Sequence, residues 1–124
     1  MGSWWRELLT AEHPLHALDS RVSWERGEVL RKSQYDAFYR TALEENLKEF
    51  GVSQVVVGGV MAHLCCETTA RSAFVRGFEV FFLADCTAAY TRAHHLAALR
   101  NLGHGFATLI TSPELERVFQ EEGR

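Results

Sequence analysis

Cys65 and Lys32 are the residues of this 124-residue chain whose types and settings point most directly to covalent chemistry. Cys65 follows the apolar β-branched run Val55–Val57, two glycines and a short turn, and it precedes a helical pattern. A strand, a sharp turn and a helix are the elements that present a nucleophile above a parallel sheet. A thiol at the start of a helix faces exposed N–H groups, which favour the thiolate. Cys65 is therefore predicted to be a nucleophile, against the commoner fate of a free cysteine as a small buried side chain.

The other two cysteines have settings that favour structural roles. Cys66 lies one residue further along the predicted helix and points about 100° away from Cys65, so it is predicted to pack in the core. Cys86 is predicted to be structural or partly exposed. A disulfide between the adjacent Cys65 and Cys66 would need a strained peptide and is not expected. Three cysteines, two of them adjacent, do not form a disulfide framework.

Two stretches of the chain carry a family resemblance. Gly59–Ala70 reads GVMAHLCCETTA, and it resembles the motif G-V-x-x-x-x-C-V/C-x-x-T-A of the isochorismatase-like cysteine hydrolases. Lys32–Phe38 reads KSQYDAF and is similar to a second motif of that family, K-x-x-x-S-A-F, with Asp36 at the serine position. The superfamily includes nicotinamidases, N-carbamoylsarcosine amidohydrolases and isochorismatases. True isochorismatases place a non-nucleophilic residue at the cysteine position, so Cys65 implies hydrolysis of an amide-type C–N bond.

The resemblance implies roles for the residues around the cysteine. Lys32 would belong to an Asp-Lys-Cys triad and favour the thiolate; a solvated surface lysine is the alternative. The Val60–Met61 peptide would be cis and would turn the Met61 N–H toward the oxyanion, together with the N–H of Cys65. A plain trans turn is the alternative at that peptide.

Other candidates have weaker settings. Phe38, at the end of the lysine motif, and His63, in the turn before Cys65, are candidates for the substrate pocket; a hydrogen-bonded turn histidine is an equal alternative for His63. Asp85 follows a predicted strand, and the resemblance implies an acid there that holds loops together. His94 and His95 are adjacent and face different sides of a helix, so no metal site and no cofactor are predicted.

One expected catalytic group has no counterpart in the sequence. The resemblance implies a catalytic aspartate after a first strand, in a motif that combines an apolar run with D-x-Q. Asp19 stands in HALDSR, which is not that motif. The chain is therefore expected to correspond to a family member without its N-terminal first-strand segment.

The order of predicted elements indicates an α/β fold in one domain. Strands alternate with helices, which predicts right-handed crossovers and a parallel sheet. The resemblance implies a three-layer α/β/α sandwich with a mainly parallel sheet, with residues 1–26 as a variable N-terminal segment and residues 27–120 as the core. A short helix is expected from Trp4 and Trp5 to His13. Strands are predicted at Glu28–Arg31, Val52–Val57, Phe78–Ala84 and Phe106–Ile110, and helices at Thr41–Phe50, after Cys65, at Arg92–Leu102 and from Ser112 to Gln120.

Composition narrows the classes of partner and compartment. The chain is 47% hydrophobic and 23% charged, which is ordinary for a globular protein. A net charge of −3 argues against nucleic acid as a partner. No apolar run reaches the length of a membrane span, and Met1–Thr10 lacks the apolar region of a secretory signal. A reducing cytoplasm is therefore expected.

The resemblance, together with the presence of Cys65, implies a hydrolase that cleaves a C–N bond of a small amide or carbamoyl compound. Cys65 would attack the carbonyl carbon, and water would release the acyl group. A homo-oligomer is expected from the resemblance. The alternative, from a different class of function, is a non-catalytic family member that retains only an oligomerising or binding surface.

Overall fold

The computed structural model describes residues 9–23 and 25–123, apart from the side chain of Glu122. The first part of the expected helix from Trp4 and Trp5 to His13 lies outside the described residues, and residues 9–13 are not helical. Helices and strands run in the order α1 Leu43–Glu49, β1 Gln54–Val60, α2 Glu67–Val75, β2 Glu79–Ala88, α3 Arg92–Gly105, β3 Thr108–Ile110 and α4 Ser112–Glu122, with a π-helical turn at Ala62–Cys66 and a short 3₁₀ turn at Pro14–His16.

The sheet is parallel and follows the order β1-β2-β3. Val55 pairs with Val80 and Val57 with Phe82, and the register shifts between Val57 and Gly59. Each pair of strands is joined by a helix, as parallel pairing requires. The structure therefore confirms the predicted α/β class: a parallel sheet flanked by helices.

One face of the sheet carries the core. Val80 and Phe82 on β2 are buried, and the small side chains Ala70 and Ala73 of α2 are buried with them, which lets the helix approach the strands closely. Phe82 and Leu102 are the largest side chains that are completely buried among the described residues.

The other face of the sheet is more open. Val56 is 44% exposed, and Phe81, its partner in β2, is half-buried. The expectation that the Val55–Val57 run is buried on both faces is therefore wrong for the part of the chain that is described. The run alternates between the two faces, as any strand must, and only the side of Val55 and Val57 packs against the core.

Several predicted boundaries are also corrected. Glu28–Arg31 does not form a strand; four residues with charged ends have no neighbouring strand to pair with among the described residues. Phe50 is 77% exposed, so the apolar stripe of α1 ends at Leu47. Thr111, rather than Ser112, caps α4, because it forms a capping box with Glu114.

The helices within the described residues are too short or too polar to span a bilayer.

Candidate active site

Cys65 lies on the turn that joins β1 to α2. Leu64 and Cys66 both donate their backbone N–H groups to the Met61 carbonyl, at 3.1 and 3.2 Å, and this closes the π-helical turn Ala62–Cys66. Gly59 just before it has a φ of 108°, a conformation that side chains rarely adopt. The turn follows the carboxyl end of β1, which is the edge of a parallel sheet where α/β proteins bind ligands.

Lys32 and Cys65 are in contact although 33 positions separate them. The Lys32 Nζ atom lies 3.3 Å from the Cys65 Sγ atom and donates a second hydrogen bond, of 2.8 Å, to the Gln34 carbonyl. Cys65 is half-buried and Lys32 is exposed, so the contact lies where a solvent-borne molecule can reach it. The structure thus brings together the two residues that the sequence singled out.

The lysine segment reaches Cys65 because it is held against α2. The Asp36 Oδ2 atom accepts a 2.7 Å hydrogen bond from the Ser72 hydroxyl, and Oδ1 accepts one of 2.9 Å from the Phe38 N–H. Thr69 Oγ1 accepts the Ala37 N–H at 3.0 Å and donates to the Tyr35 carbonyl at 3.3 Å. These bonds fix the segment that carries Lys32.

The sequence reasoning missed Thr69 and Ser72. They stand three residues apart, so they lie on one face of α2, and a pair of hydroxyl groups at that spacing was the available signal. The family motif has serine at the position of Asp36. The Asp36 carboxylate accepts a hydrogen bond, and the Ser72 hydroxyl donates it.

Phe38 does not line a substrate pocket. It is buried in the core and stacks on Phe78 with ring centroids 6.0 Å apart. The guanidinium of Arg76 also lies over the Phe38 ring, with Cζ 4.8 Å from the ring centroid, and it donates a hydrogen bond to Glu44. The prediction for Phe38 is therefore wrong, because its ring, at the end of the lysine motif, packs in the core.

Cys66 and Cys86 differ sharply from Cys65 in environment. Cys66 is buried, its Sγ atom lies 3.8 Å from the Gly58 carbonyl oxygen, and burial raises the pKa of its thiol to about 11. Cys86 is exposed. The prediction that Cys66 packs in the core is confirmed.

The Val60–Met61 peptide is cis. Met61 precedes the π-helical turn in an extended conformation, and its side chain is half-buried, whereas Val60 is 67% exposed. The use of the Met61 and Cys65 N–H groups as oxyanion donors stays a prediction.

His63 lies in the same turn and stacks on a histidine of α3. The rings of His63 and His94 have centroids 4.5 Å apart and are tilted by 34°. The His63 Nδ1 atom is buried and has no hydrogen-bond partner among the described residues, so His63 is not the fully hydrogen-bonded turn histidine of the alternative reading. Burial, and secondarily the charge of His94, lower the pKa of His63.

Asp85 ties the end of the sheet to α4. Its carboxylate accepts the Ser112 N–H at 2.9 and 3.1 Å and the Ser112 hydroxyl at 2.7 Å. These hydrogen bonds lower the pKa of Asp85. The predicted structural role of Asp85 is confirmed.

No carboxylate of the described residues forms a hydrogen bond with the Cys65 thiol, whose partner is Lys32. Asp19, the aspartate nearest the N-terminus, is instead bound to Arg21 at 2.7 Å. Within the described ranges, no three histidine, cysteine, aspartate or glutamate side chains are grouped as metal ligands would be.

A parallel sheet with a cysteine on its strand-to-helix turn defines an α/β protein with a candidate site at the carboxyl edge of the sheet. The isochorismatase domain model matches residues 2–114, so the chain belongs to the isochorismatase family, as its motifs predicted. It is 51% identical over 90 residues to Nicotinamidase 3 of Arabidopsis thaliana, covering 73% of this chain and 46% of that protein. It is 40% identical over 87 residues to Enterobactin synthase component B of Escherichia coli K12, covering 70% of this chain and 30% of that protein.

Solved structures give the same family. An isochorismatase-like hydrolase from Alkaliphilus metalliredigens superposes with a TM-score of 0.75 at 28% identity, covering 79% of this chain and 53% of that one. A nicotinamidase from Staphylococcus aureus superposes with a TM-score of 0.62 at 30% identity, covering 64% of this chain and 51% of that one. The chain therefore spans about half the length, or less, of the relatives that it matches.

Proposed function

We propose that the protein is a hydrolase of the isochorismatase family that cleaves a C–N bond of a small amide or carbamoyl compound through a Cys65 thioester. The observation that carries the proposal is the 3.3 Å contact between the Lys32 ammonium and the Cys65 sulfur at the edge of the sheet. The similarity to Nicotinamidase 3, whose name states an amide substrate, supports the amide class.

The proposed reaction has two halves. The Cys65 thiolate attacks the carbonyl carbon, a C–S bond forms, and the carbonyl oxygen becomes an oxyanion that the Met61 and Cys65 N–H groups stabilise. The C–N bond then breaks and the amine leaves with a proton, which gives a thioester. Water attacks the thioester, the C–S bond breaks, and the carboxylic acid and the free thiol are released.

Lys32 contributes to the first half of the reaction, in which the thiolate forms and attacks. Its ammonium is a fixed positive charge beside the sulfur, and it stabilises the thiolate without taking up the thiol proton. In the described part of the chain no carboxylate is bonded to Cys65 to accept that proton or to protonate the amine. The proton therefore goes to solvent and returns from solvent, and expulsion of the amine is the slow step.

This division predicts a ranking of substrates for the chain alone. General acid–base catalysis typically contributes about 10²–10⁴-fold. An activated ester such as p-nitrophenyl acetate has a leaving group that needs no proton. Nicotinamide must release ammonia, which leaves only after it has gained a proton. We expect measurable turnover of the ester and turnover of nicotinamide lower by at least about 10²-fold.

The experiment compares both substrates with the wild-type chain and with C65A, with C86A as the control for a second exposed thiol. Ester turnover that is lost in C65A and retained in C86A supports the proposal. Equal turnover by wild type and C65A would contradict it and favour the non-catalytic alternative. Nicotinamide turnover as fast as ester turnover would instead show that a carboxylate reaches Cys65.

A further inference from the structure

The turn that carries Cys65 contacts α3 through two stacked imidazole rings, one on the turn and one on the helix. His63, two residues before Cys65, stacks on His94 at 4.5 Å between centroids. His94 lies in the first turn of α3, which begins at Arg92 with Thr91 as its N-cap. A shift of this ring pair would move the turn directly, because His63 belongs to it.

Hydrogen bonding to Thr91 holds the His94 ring in place. Thr91 Oγ1 accepts the backbone N–H of His94 at 3.2 Å and lies 2.7 Å from the His94 Nδ1 atom. These two contacts fix the position of the His94 ring relative to the N-terminus of α3.

His63 is held in a form that resists protonation. Its Nδ1 atom is buried without a partner, so a second ring N–H there would be a buried donor with no acceptor. A proton on His63 would in addition face a proton on His94 across 4.5 Å. Both effects oppose the charged pair.

The remaining titratable groups around the turn do not offset this repulsion. On α2, Glu67 attracts a positive His63, but its carboxylate is bound to Arg71 at 2.8 Å. Strand β1 contributes no titratable side chain, and on β2 Asp85 is bound to Ser112 while Cys86 is exposed. Lys32, beside Cys65, and Arg92, in the first turn of α3, add further positive charges, and the Nε2 atom of His95 lies 3.0 Å from Thr87 Oγ1.

We propose that the stacked pair His63 and His94 positions Cys65 and acts as a proton-sensitive clamp on its turn. With both rings neutral, the clamp keeps Cys65 against Lys32. When the rings are protonated they repel, the turn moves, and the sulfur loses its cation. The inference rests on the proposed role of Cys65, and both histidines are positioning residues because they act through the turn.

The sign of the pH dependence follows from the lowered pKa of His63. The clamp is intact above the ordinary histidine value of about 6.5 and is lost as the pH falls below it toward the lower value of the folded chain. A single ionising thiol makes log rate rise with pH with a slope of about one. A clamp that opens in the same range makes the slope steeper than one.

The test measures the rate of Cys65 alkylation by iodoacetamide, from peptide masses, between pH 5 and pH 8. H94F keeps a stacked ring that cannot take a proton. We expect a slope above one in wild type below about pH 6.5 and a slope of about one in H94F. Between pH 7.5 and pH 5.5 the rate of Cys65 alkylation should fall by a factor about tenfold larger in the wild type than in H94F.

Two further variants keep the result interpretable. H104Q removes an exposed histidine from the last turn of α3 and should retain the wild-type slope. H63F removes the other titratable ring. It replaces H94F in the test if circular dichroism shows that H94F does not fold. Equal slopes in wild type and the folded clamp variant would overturn the clamp, whereas absence of Cys65 alkylation at every pH would overturn the proposed function itself.

Discussion

At the scale of single residues, the contact between Lys32 and Cys65 is the feature that separates Cys65 from the other thiols. Each residue alone fits an ordinary structural role: a lysine on the surface and a cysteine in a turn. The 3.3 Å approach of Nζ to Sγ, with Lys32 also bonded to the Gln34 carbonyl, gives the sulfur a cation that is fixed in place.

K32M tests the contribution of that cation. The substitution keeps a long side chain and removes the charge, so the thiolate loses its nearest stabilising partner. We expect alkylation of Cys65 at pH 7 to slow by about tenfold, which corresponds to about 1.4 kcal/mol.

K48M is the matched control for K32M. Lys48 pairs with Glu44 at 2.6 Å on the surface of α1, and its loss should leave Cys65 alkylation unchanged. Equal slowing by K32M and K48M would show that overall charge, rather than the contact, sets the rate.

At the scale of elements, the docking of residues 33–38 on α2 decides whether Lys32 reaches the cysteine. Thr69 contributes two hydrogen bonds to this docking, one accepted from the Ala37 N–H and one donated to the Tyr35 carbonyl. Ser72 contributes a third, to Asp36.

T69V removes both bonds of Thr69 with little change of shape. An unpaired, partly buried N–H at Ala37 should cost about 1–3 kcal/mol of unfolding free energy. Because the lysine segment loosens, Cys65 alkylation should slow as well. Urea unfolding followed by circular dichroism and the alkylation rate measure the two effects.

T68V is the control at the neighbouring position, where the hydroxyl takes no part in the docking bonds. It should change the unfolding free energy and the alkylation rate less than T69V does. A T69V protein with wild-type alkylation would separate the docking segment from the cysteine and contradict this assignment.

The elements also show what the sequence determined. The strand-turn-helix around Cys65 was predictable because apolar runs, glycines and small residues each favour one local structure. The prediction of a strand at Glu28–Arg31 failed, because a strand depends on a partner that local sequence does not reveal. The role of Phe38 failed for a related reason: burial depends on Phe78 and Arg76, which are distant in sequence. The pairing of His63 with His94 likewise required the folded positions of two elements.

At the scale of the whole molecule, the sheet leaves apolar side chains open on one face. Val56 is exposed there beside the half-buried Phe81, and β1 has no second neighbour among the described residues. Open strands and apolar faces favour association. The predicted oligomer therefore has a physical basis in this chain.

V56K tests that basis. A lysine on the open face of β1 keeps its charge in water and opposes apolar contact between copies. We expect sedimentation velocity to show a wild-type chain that associates with rising concentration and a V56K chain that stays smaller. A wild-type chain that remains monomeric at high concentration would contradict the prediction.

The family of the protein was predictable from its sequence, whereas its substrate was not. The family followed from two short motifs, since Gly59–Ala70 and Lys32–Phe38 match family patterns over most of their positions. The substrate did not follow, because residues that contact a substrate lie on loops whose positions no local pattern fixes.

The central claim, that Cys65 is the reactive nucleophile, is tested most directly by limiting iodoacetamide and peptide mass mapping of the native chain at pH 7. Cys65 has the neighbouring cation of Lys32, Cys66 is buried with a pKa raised to about 11, and Cys86 is exposed without that contact. We predict that Cys65 is labelled first and that Cys66 is labelled only after denaturation. Labelling of Cys86 or Cys66 ahead of Cys65 would contradict the account.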